Sequence, residues 1–99
     1  MQNLWTWGGV FFGYRTGDQI FTHRGKCVGQ VSGDEVYGRR GEYLGEFKNG
    51  DRLITNRSKS GRRGPSAPSV QGGAIGRYAN YAGYAMYAGY EDFPDPSTF

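Results

Sequence analysis

The chain has 99 residues and a formal net charge of +3, and 18 of its residues are glycine. A chain of this length forms one domain at most, and its core is thin, so the fold is expected to need additional support. The single cysteine, Cys27, excludes an intrachain disulfide framework and no His/Cys cluster predicts a metal site, which leaves oligomerisation as the expected support.

The composition predicts an all-β fold. Eight tyrosines, six phenylalanines and two tryptophans accompany the glycines, whereas helix formers are few. The first residues, MQNLWTWGGVFFGY, contain neither a basic n-region nor a long apolar run, so we expect no secretory signal and no spanning helix. The expected location is therefore the cytoplasm, or a virion or other assembly.

Residues 1–57 contain an internal repeat of about 16 residues, with starts at Asn3, Gln19, Glu35 and, after one inserted residue, Arg52. One column of the repeat is aliphatic: Leu4, Ile20, Val36 and Leu53. Two columns are glycine, namely Gly9, Gly25 and Gly41, and then Gly13, Gly29 and Gly45. The pattern predicts a meander of short hairpins made of four units with pseudo-four-fold symmetry.

Each unit is predicted to contain two strands with apolar residues on both faces, so both faces should be partly covered. Asn49-Gly50 is the strongest hairpin signal, because a type I′ turn needs positive φ at both central residues. Thr16-Gly17 and Ser32-Gly33 are weaker signals at the corresponding places. A glycine that recurs within a strand predicts close approach of a neighbouring backbone or a bulky ring, so the column glycines are interpreted as structural.

The pieces RGKCVGQVSGDEVY and RGEYLGEFKNGDRLI resemble the bacterial family called 4-fold beta flower. The resemblance spans about Asn3 to Gly61 and implies four short β units arranged like petals around a central axis. It implies no catalytic residues. The third copy, GEYLGEFKNGDR, is also similar to the MORN repeat, which we interpret as convergent hairpin chemistry because only this copy fits well.

No motif predicts catalysis, a metal or a cofactor. His23 and Cys27 are the only histidine and cysteine, but the next copy has Arg39 and Tyr43 at the equivalent positions, which favours structural roles over a nucleophilic pair. No phosphate-binding glycine motif is present, so no nucleotide site and no small-molecule substrate are indicated. Aspartates that follow the turn glycines are interpreted as turn residues rather than cation ligands: Asp18, Asp34 and Asp51.

Residues 52–63 are basic and contain no acid. They offer a candidate anion-binding segment for nucleic acid or a phospholipid surface, formed by Arg52, Arg57, Lys59, Arg62 and Arg63. The alternative is a solvated linker. Residues 58–77 are predicted to be a linker, first basic and then rich in Gly, Ser and Pro.

Residues 78–99 are predicted to form a tyrosine-rich extension. Tyrosines recur at a spacing of three, which a polyproline II or 3₁₀ path would align in one row: Tyr78, Tyr81, Tyr84, Tyr87 and Tyr90. Such a row suits a protein interface, and the alternative is a disordered low-complexity tail. We therefore expect a non-enzymatic structural or assembly module that self-associates or forms part of a larger protein assembly, such as a virion or a bacterial surface structure. The alternative is a module that binds an anionic surface, nucleic acid or phospholipid, through residues 52–63.

Overall fold

The computed structural model describes residues 1–99 and contains eight β-strands and two short 3₁₀ helices. The strands are β1 Gln2–Thr6, β2 Phe11–Thr16, β3 Gln19–Thr22, β4 Cys27–Ser32, β5 Glu35–Tyr37, β6 Tyr43–Lys48, β7 Arg52–Asn56 and β8 Tyr90–Asp92. The 3₁₀ helices are Arg57–Lys59 and Pro96–Thr98. None of the helices has the length and apolar character needed to cross a membrane.

The first seven strands form a closed barrel. Consecutive strands pair antiparallel, and a short parallel pairing of β1 with β7 closes the sheet, with Trp5 opposite Arg52. Strand β8 pairs with the half of β7 that β1 leaves free, at Ile54–Asn56. The all-β meander is confirmed, whereas the four-unit repeat with pseudo-four-fold symmetry stays a prediction: the barrel has seven strands, and β7 leads into a 3₁₀ helix.

The strand register shifts by one residue next to each glycine of the second column, Gly13, Gly29 and Gly45, where that glycine pairs with the preceding strand. Leu4 pairs with Gly13, but its neighbour Trp5 pairs with Phe11, so Phe12 has no partner and forms a bulge. The same shift occurs in the next two hairpins, where the unpaired residues are Val28 and Leu44. The bulges thus explain why an apolar residue precedes each glycine of the second column: the unpaired residue contributes to the core.

Apolar side chains pack on both faces of the barrel wall, as predicted. The inner cluster consists of Leu4, Phe12, Ile20, Val28, Val31, Val36, Leu53 and Phe93. A smaller outer cluster contains Tyr14, Phe21, Cys27 and Ala67, with Ile75 packed against it. Ala67 and Ile75 belong to the C-terminal third, which therefore covers an outer patch of the barrel.

The hairpin turns contain the expected residues but differ from the prediction in their register. Asn49 and Gly50 have the predicted positive φ, 54° and 82°, but the β6–β7 loop has three residues, because Lys48 pairs with Arg52, so it is not a two-residue type I′ turn. In the β2–β3 and β4–β5 hairpins the two-residue loops are Gly17-Asp18 and Gly33-Asp34, one residue later than predicted. Only the glycine has positive φ in these loops, as in a type II′ turn.

Candidate functional site

The tail, defined as residues 64–99, crosses the end of the barrel at which the Gly9, Gly25 and Gly41 turns lie. Its backbone N–H groups donate to the carbonyl oxygens of these glycines in reverse chain order: Gly64 to Gly41 (2.9 Å), Gly72 to Gly25 (2.7 Å) and Tyr81 to Gly9 (2.8 Å). A methyl group at any of these glycines would collide with a tail carbonyl oxygen. The first glycine column therefore gives the tail room to reach the barrel backbone.

The second glycine column lies at crowded positions within the barrel. A methyl carbon at Gly29 would lie 2.6 Å from Val36 Cγ1, and one at Gly45 would lie 2.6 Å from the Phe93 ring. At Gly13 it would meet the backbone of Phe21. A neighbouring backbone, a side chain and a ring thus account for the three absent side chains.

Two tryptophans of the first strand and its following turn hold the tyrosine-rich part of the tail. Trp5 stacks on Tyr81 with the ring centroids 3.8 Å apart. Trp7 contacts Tyr84 and Tyr87, at centroid distances of 4.6 and 5.4 Å. Each indole N–H also donates a 3.0 Å hydrogen bond to a tail carbonyl oxygen, that of Ala79 or Ala85. The tryptophans therefore bind both the rings and the backbone of the tail.

Arg52 is buried beneath the same tyrosines. Its guanidinium carbon lies 5.1 Å from the Tyr81 ring centroid and 4.3 Å from that of Tyr84. The guanidinium donates to the carbonyl oxygens of Trp7 (3.2 Å) and Ala82 (3.0 Å). The guanidinium is occupied by these two hydrogen bonds and two ring contacts. Arg52 therefore joins the barrel to the tail and is not available to an external anion.

The outer side of the tyrosine-rich segment faces solvent. The tyrosine face is defined here as Tyr78, Tyr81, Tyr84, Met86 and Tyr87, and each of these side chains is 45–51% exposed. Apart from Met1 and Val70, no other large apolar side chain is exposed. Residues 78–90 carry no charge. Tyr90 lies outside the face: it begins β8, and its hydroxyl accepts a hydrogen bond from Asn56.

The remaining basic residues of segment 52–63 are not gathered into one free cluster. Lys59 Nζ lies 2.7 Å from Glu35 and 2.8 Å from Glu46, and Arg62 lies 2.8 Å from Glu35. Hydrogen bonds from Lys59 and from the Tyr37 hydroxyl lower the pKa of Glu35. Since the acids come from β5 and β6, the segment's own composition could not indicate them. Of the five predicted anion-binding residues, only Arg57 and Arg63 are exposed and free of an ion pair.

His23 and Cys27 lie on the border of one cleft, but their chemistry does not favour nucleophilic attack. Burial raises the pKa of the Cys27 thiol, which disfavours the reactive thiolate at neutral pH. Burial and the nearby charges of Arg77 and Arg24 lower the pKa of His23. No group of three or more His, Cys, Asp or Glu side chains is arranged to hold a metal ion.

Comparisons with protein-family models, with curated proteins and with solved structures find no match to this chain. The resemblance to the 4-fold beta flower family therefore stays a prediction.

Neither Trp5 nor Trp7 was among the candidate site residues predicted from the sequence, although both anchor the tail. The sequence did contain a signal for this contact. Residues 78–90 are uncharged and rich in tyrosine, and tyrosine rings pack favourably on other aromatic rings, of which the two tryptophans are the largest in the chain. Asp92 was also missed. Its carboxylate accepts hydrogen bonds from Thr6 Oγ1 (3.2 Å) and the Gly8 N–H (3.1 Å), and so fastens the end of β8 to the first turn.

Proposed function

We propose that this protein is a non-enzymatic structural or assembly module, and that the tyrosine face binds a second copy of the same chain. The observation that carries the proposal is the concentration of exposed apolar side chains on one uncharged segment. Clustered exposed apolar groups mark interaction surfaces on soluble domains. Tyrosine is suited to such contacts because it offers a large area and loses little conformational entropy.

Charge favours a second copy as the occupant. The chain has a net charge of +3, so two copies repel at most orientations. The residues of the tyrosine face carry no charge, and the Lys48 ammonium lies against its edge, 5.7 Å from the Tyr87 ring centroid. A two-fold interface brings the same patch of each copy together. Pairing through this face therefore avoids direct repulsion between like charges.

The tail is held within its own chain, which favours a ready-made surface over one that orders on binding. Tyr81 is fixed by Trp5, and Tyr84 and Tyr87 by Trp7. A surface whose rings are already positioned loses less entropy on association. The alternative partner, an anionic surface bound by residues 52–63, is supported less well because only Arg57 and Arg63 remain free of ion pairs.

The substitution Met86→Glu tests the proposal. Met86 is 45% exposed and is not one of the rings that stack on Trp5 or Trp7, so the change places a charge on the tyrosine face without removing one of those ring contacts. Sedimentation equilibrium should show concentration-dependent dimers of the unmodified protein, and Met86→Glu should weaken dimerisation at least about tenfold because facing like charges are costly.

The matched control is Thr16→Glu, which adds the same charge at an exposed hairpin residue away from the tail. It should dimerise like the unmodified protein. A monomer at every concentration, or equal weakening by both substitutions, would show that the tyrosine face does not mediate self-association.

A further inference from the structure

A cleft of about 650 Å³ lies between the β3–β4 turn, the tail and the C-terminal 3₁₀ helix. Its charged border is formed by groups that are far apart in the sequence: His23, Arg24, Lys26, Arg39, Arg77 and Asp95. The first three come from the β3–β4 turn, Arg39 from the β5–β6 turn, and the last two from the tail. The fold therefore gathers cations that no local segment predicts.

The four cationic side chains Arg24, Lys26, Arg39 and Arg77 are exposed, and none of them takes part in an ion pair. The only acid on the cleft is Asp95, and its carboxylate already accepts hydrogen bonds from Ser97, from N–H at 2.9 Å and from Oγ at 2.8 Å. The cleft thus holds four unpaired positive charges against one carboxylate that serves as a helix cap.

Concave sites lined by one sign of charge concentrate the electrostatic field and attract ions of the opposite sign. The pKa of His23 depends on the charges around the cleft. Its pKa is lowered by burial and then by the charges of Arg77 and Arg24, while Asp95 opposes them. The field at the imidazole is therefore positive on balance.

The cleft also has an apolar side and neutral hydrogen-bonding groups. Phe99, Pro96 and Val70 supply the apolar side, and Ser69 and Gln71 supply polar groups. The volume lies within the range of small-molecule sites, which combine an apolar wall with a few polar groups. One arginine guanidinium can donate two parallel hydrogen bonds to two oxygens of the same phosphate. A phosphate monoester carries close to two negative charges at neutral pH.

We propose that this cleft binds a small phosphate monoester, with the phosphate among Arg24, Arg39 and Arg77 and an apolar body against Phe99 and Val70. The site is distinct from segment 52–63 and from the tyrosine face, and it does not depend on self-association. A single-stranded nucleic acid fits less well, because such ligands are bound along an extended groove with successive stacking rings, whereas Phe99 is the only Phe, Tyr or Trp that lines this cleft.

Because His23 is the only histidine, its imidazole resonances give an unambiguous NMR titration. Phenyl phosphate is the probe, and inorganic phosphate and a short oligothymidylate are the comparison ligands. Phenyl phosphate should raise the pKa of His23, since a bound negative charge favours the imidazolium, and it should bind more tightly than inorganic phosphate. An unchanged His23 pKa at saturating phenyl phosphate, equal affinity for phosphate alone, or tighter binding of the oligonucleotide would each overturn the proposal.

The double substitution Arg39→Gln and Arg77→Gln should weaken phenyl phosphate binding at least about tenfold, because each removes a charge-assisted contact. The matched control is Arg57→Gln with Arg63→Gln, which removes the same net charge from exposed positions outside the cleft. Equal weakening in the two proteins would mean that only net charge matters, and would also overturn the proposal. None of these four arginines donates a side-chain hydrogen bond within the chain, so both doubly substituted proteins should fold. The His23 titration of the unmodified protein tests the site without any substitution.

Discussion

Arg52 shows how one residue's role depends on neighbours that are distant in the sequence. Its segment is basic and lacks acids, which predicts a solvated or anion-binding stretch. In the fold, β7 completes the barrel beside β1, so Arg52 lies next to Trp7 and beneath the tail. The strand position of Leu53 and Ile54 could be predicted from their apolar character, but the partners of Arg52 could not, because they come from both ends of the chain.

The substitution Arg52→Lys should lower the free energy of unfolding by about 1.5–3 kcal/mol, the usual cost of losing a hydrogen bond made by a charged group. A lysine keeps the charge but cannot reach both carbonyl oxygens while lying flat between the rings of Tyr81 and Tyr84. Urea unfolding followed by tryptophan fluorescence measures the change, because Trp5 and Trp7 both contact the tail.

The matched control for that experiment is Arg57→Lys, at an exposed arginine without a side-chain hydrogen bond. Its effect should lie within about 0.5 kcal/mol of zero, as for most surface changes. If Arg52→Lys is as stable as the control, the guanidinium does not hold the tail.

Among the elements, the barrel strands could be predicted and the path of the tail could not. Strands and turns leave local signals, such as the aliphatic residue at the second position of each unit and the positive φ that Asn49-Gly50 favours. In the tail the tyrosine spacing of three predicts a polyproline II or 3₁₀ path, but between Gly72 and Tyr87 the chain forms no 3₁₀ helix or strand and is held by single hydrogen bonds and ring contacts. Its position follows from the turn glycines, whose missing side chains predict a close approach but do not identify what approaches.

Two glycine substitutions separate backbone strain from this close approach. Gly33 has φ of 63° and open space around it, so Gly33→Ala should cost about 1–2 kcal/mol through strain alone. Gly25 has φ of 89°, and a methyl group there would also collide with the Gly72 carbonyl and lie 3.0 Å from Gly73. Gly25→Ala should therefore cost more and loosen the tail.

Hydrogen exchange gives the specific readout for this pair. The amides of Gly72 and Ile75 donate to Gly25 and His23, so both should exchange faster in Gly25→Ala and be unchanged in Gly33→Ala. Equal exchange in the two proteins would show that the tail does not press on the turn.

At the scale of the whole molecule, the support that a thin core needs comes from the tail of the same chain. The sequence left oligomerisation as the expected support, because it offers neither a disulfide nor a metal site. In the structure Phe93 enters the inner cluster, while Ala67 and Ile75 complete the outer one. Self-association is therefore proposed from the exposed tyrosine face and not from a need for stability.

Phe93→Ala tests whether barrel and tail unfold as one unit. Phe93 is 3% exposed and packs against Phe12 with the ring centroids 5.2 Å apart, so the loss of its ring should cost about 3–5 kcal/mol. A domain of this size has a stability of only about 5–15 kcal/mol, so the substitution removes a large share of it. The whole barrel should then unfold at a clearly lower urea concentration.

Two probes of the Phe93→Ala protein distinguish one cooperative unit from two. Far-UV circular dichroism follows the strands, and tryptophan fluorescence follows the docking of the tail on Trp5 and Trp7. Because Phe93 joins the tail to the inner cluster, both transitions should shift together and coincide, as two-state unfolding requires. If fluorescence changes at low urea while the dichroism midpoint stays at the value of the unmodified protein, the barrel is stable without its tail, and the tail is an attachment rather than part of the core.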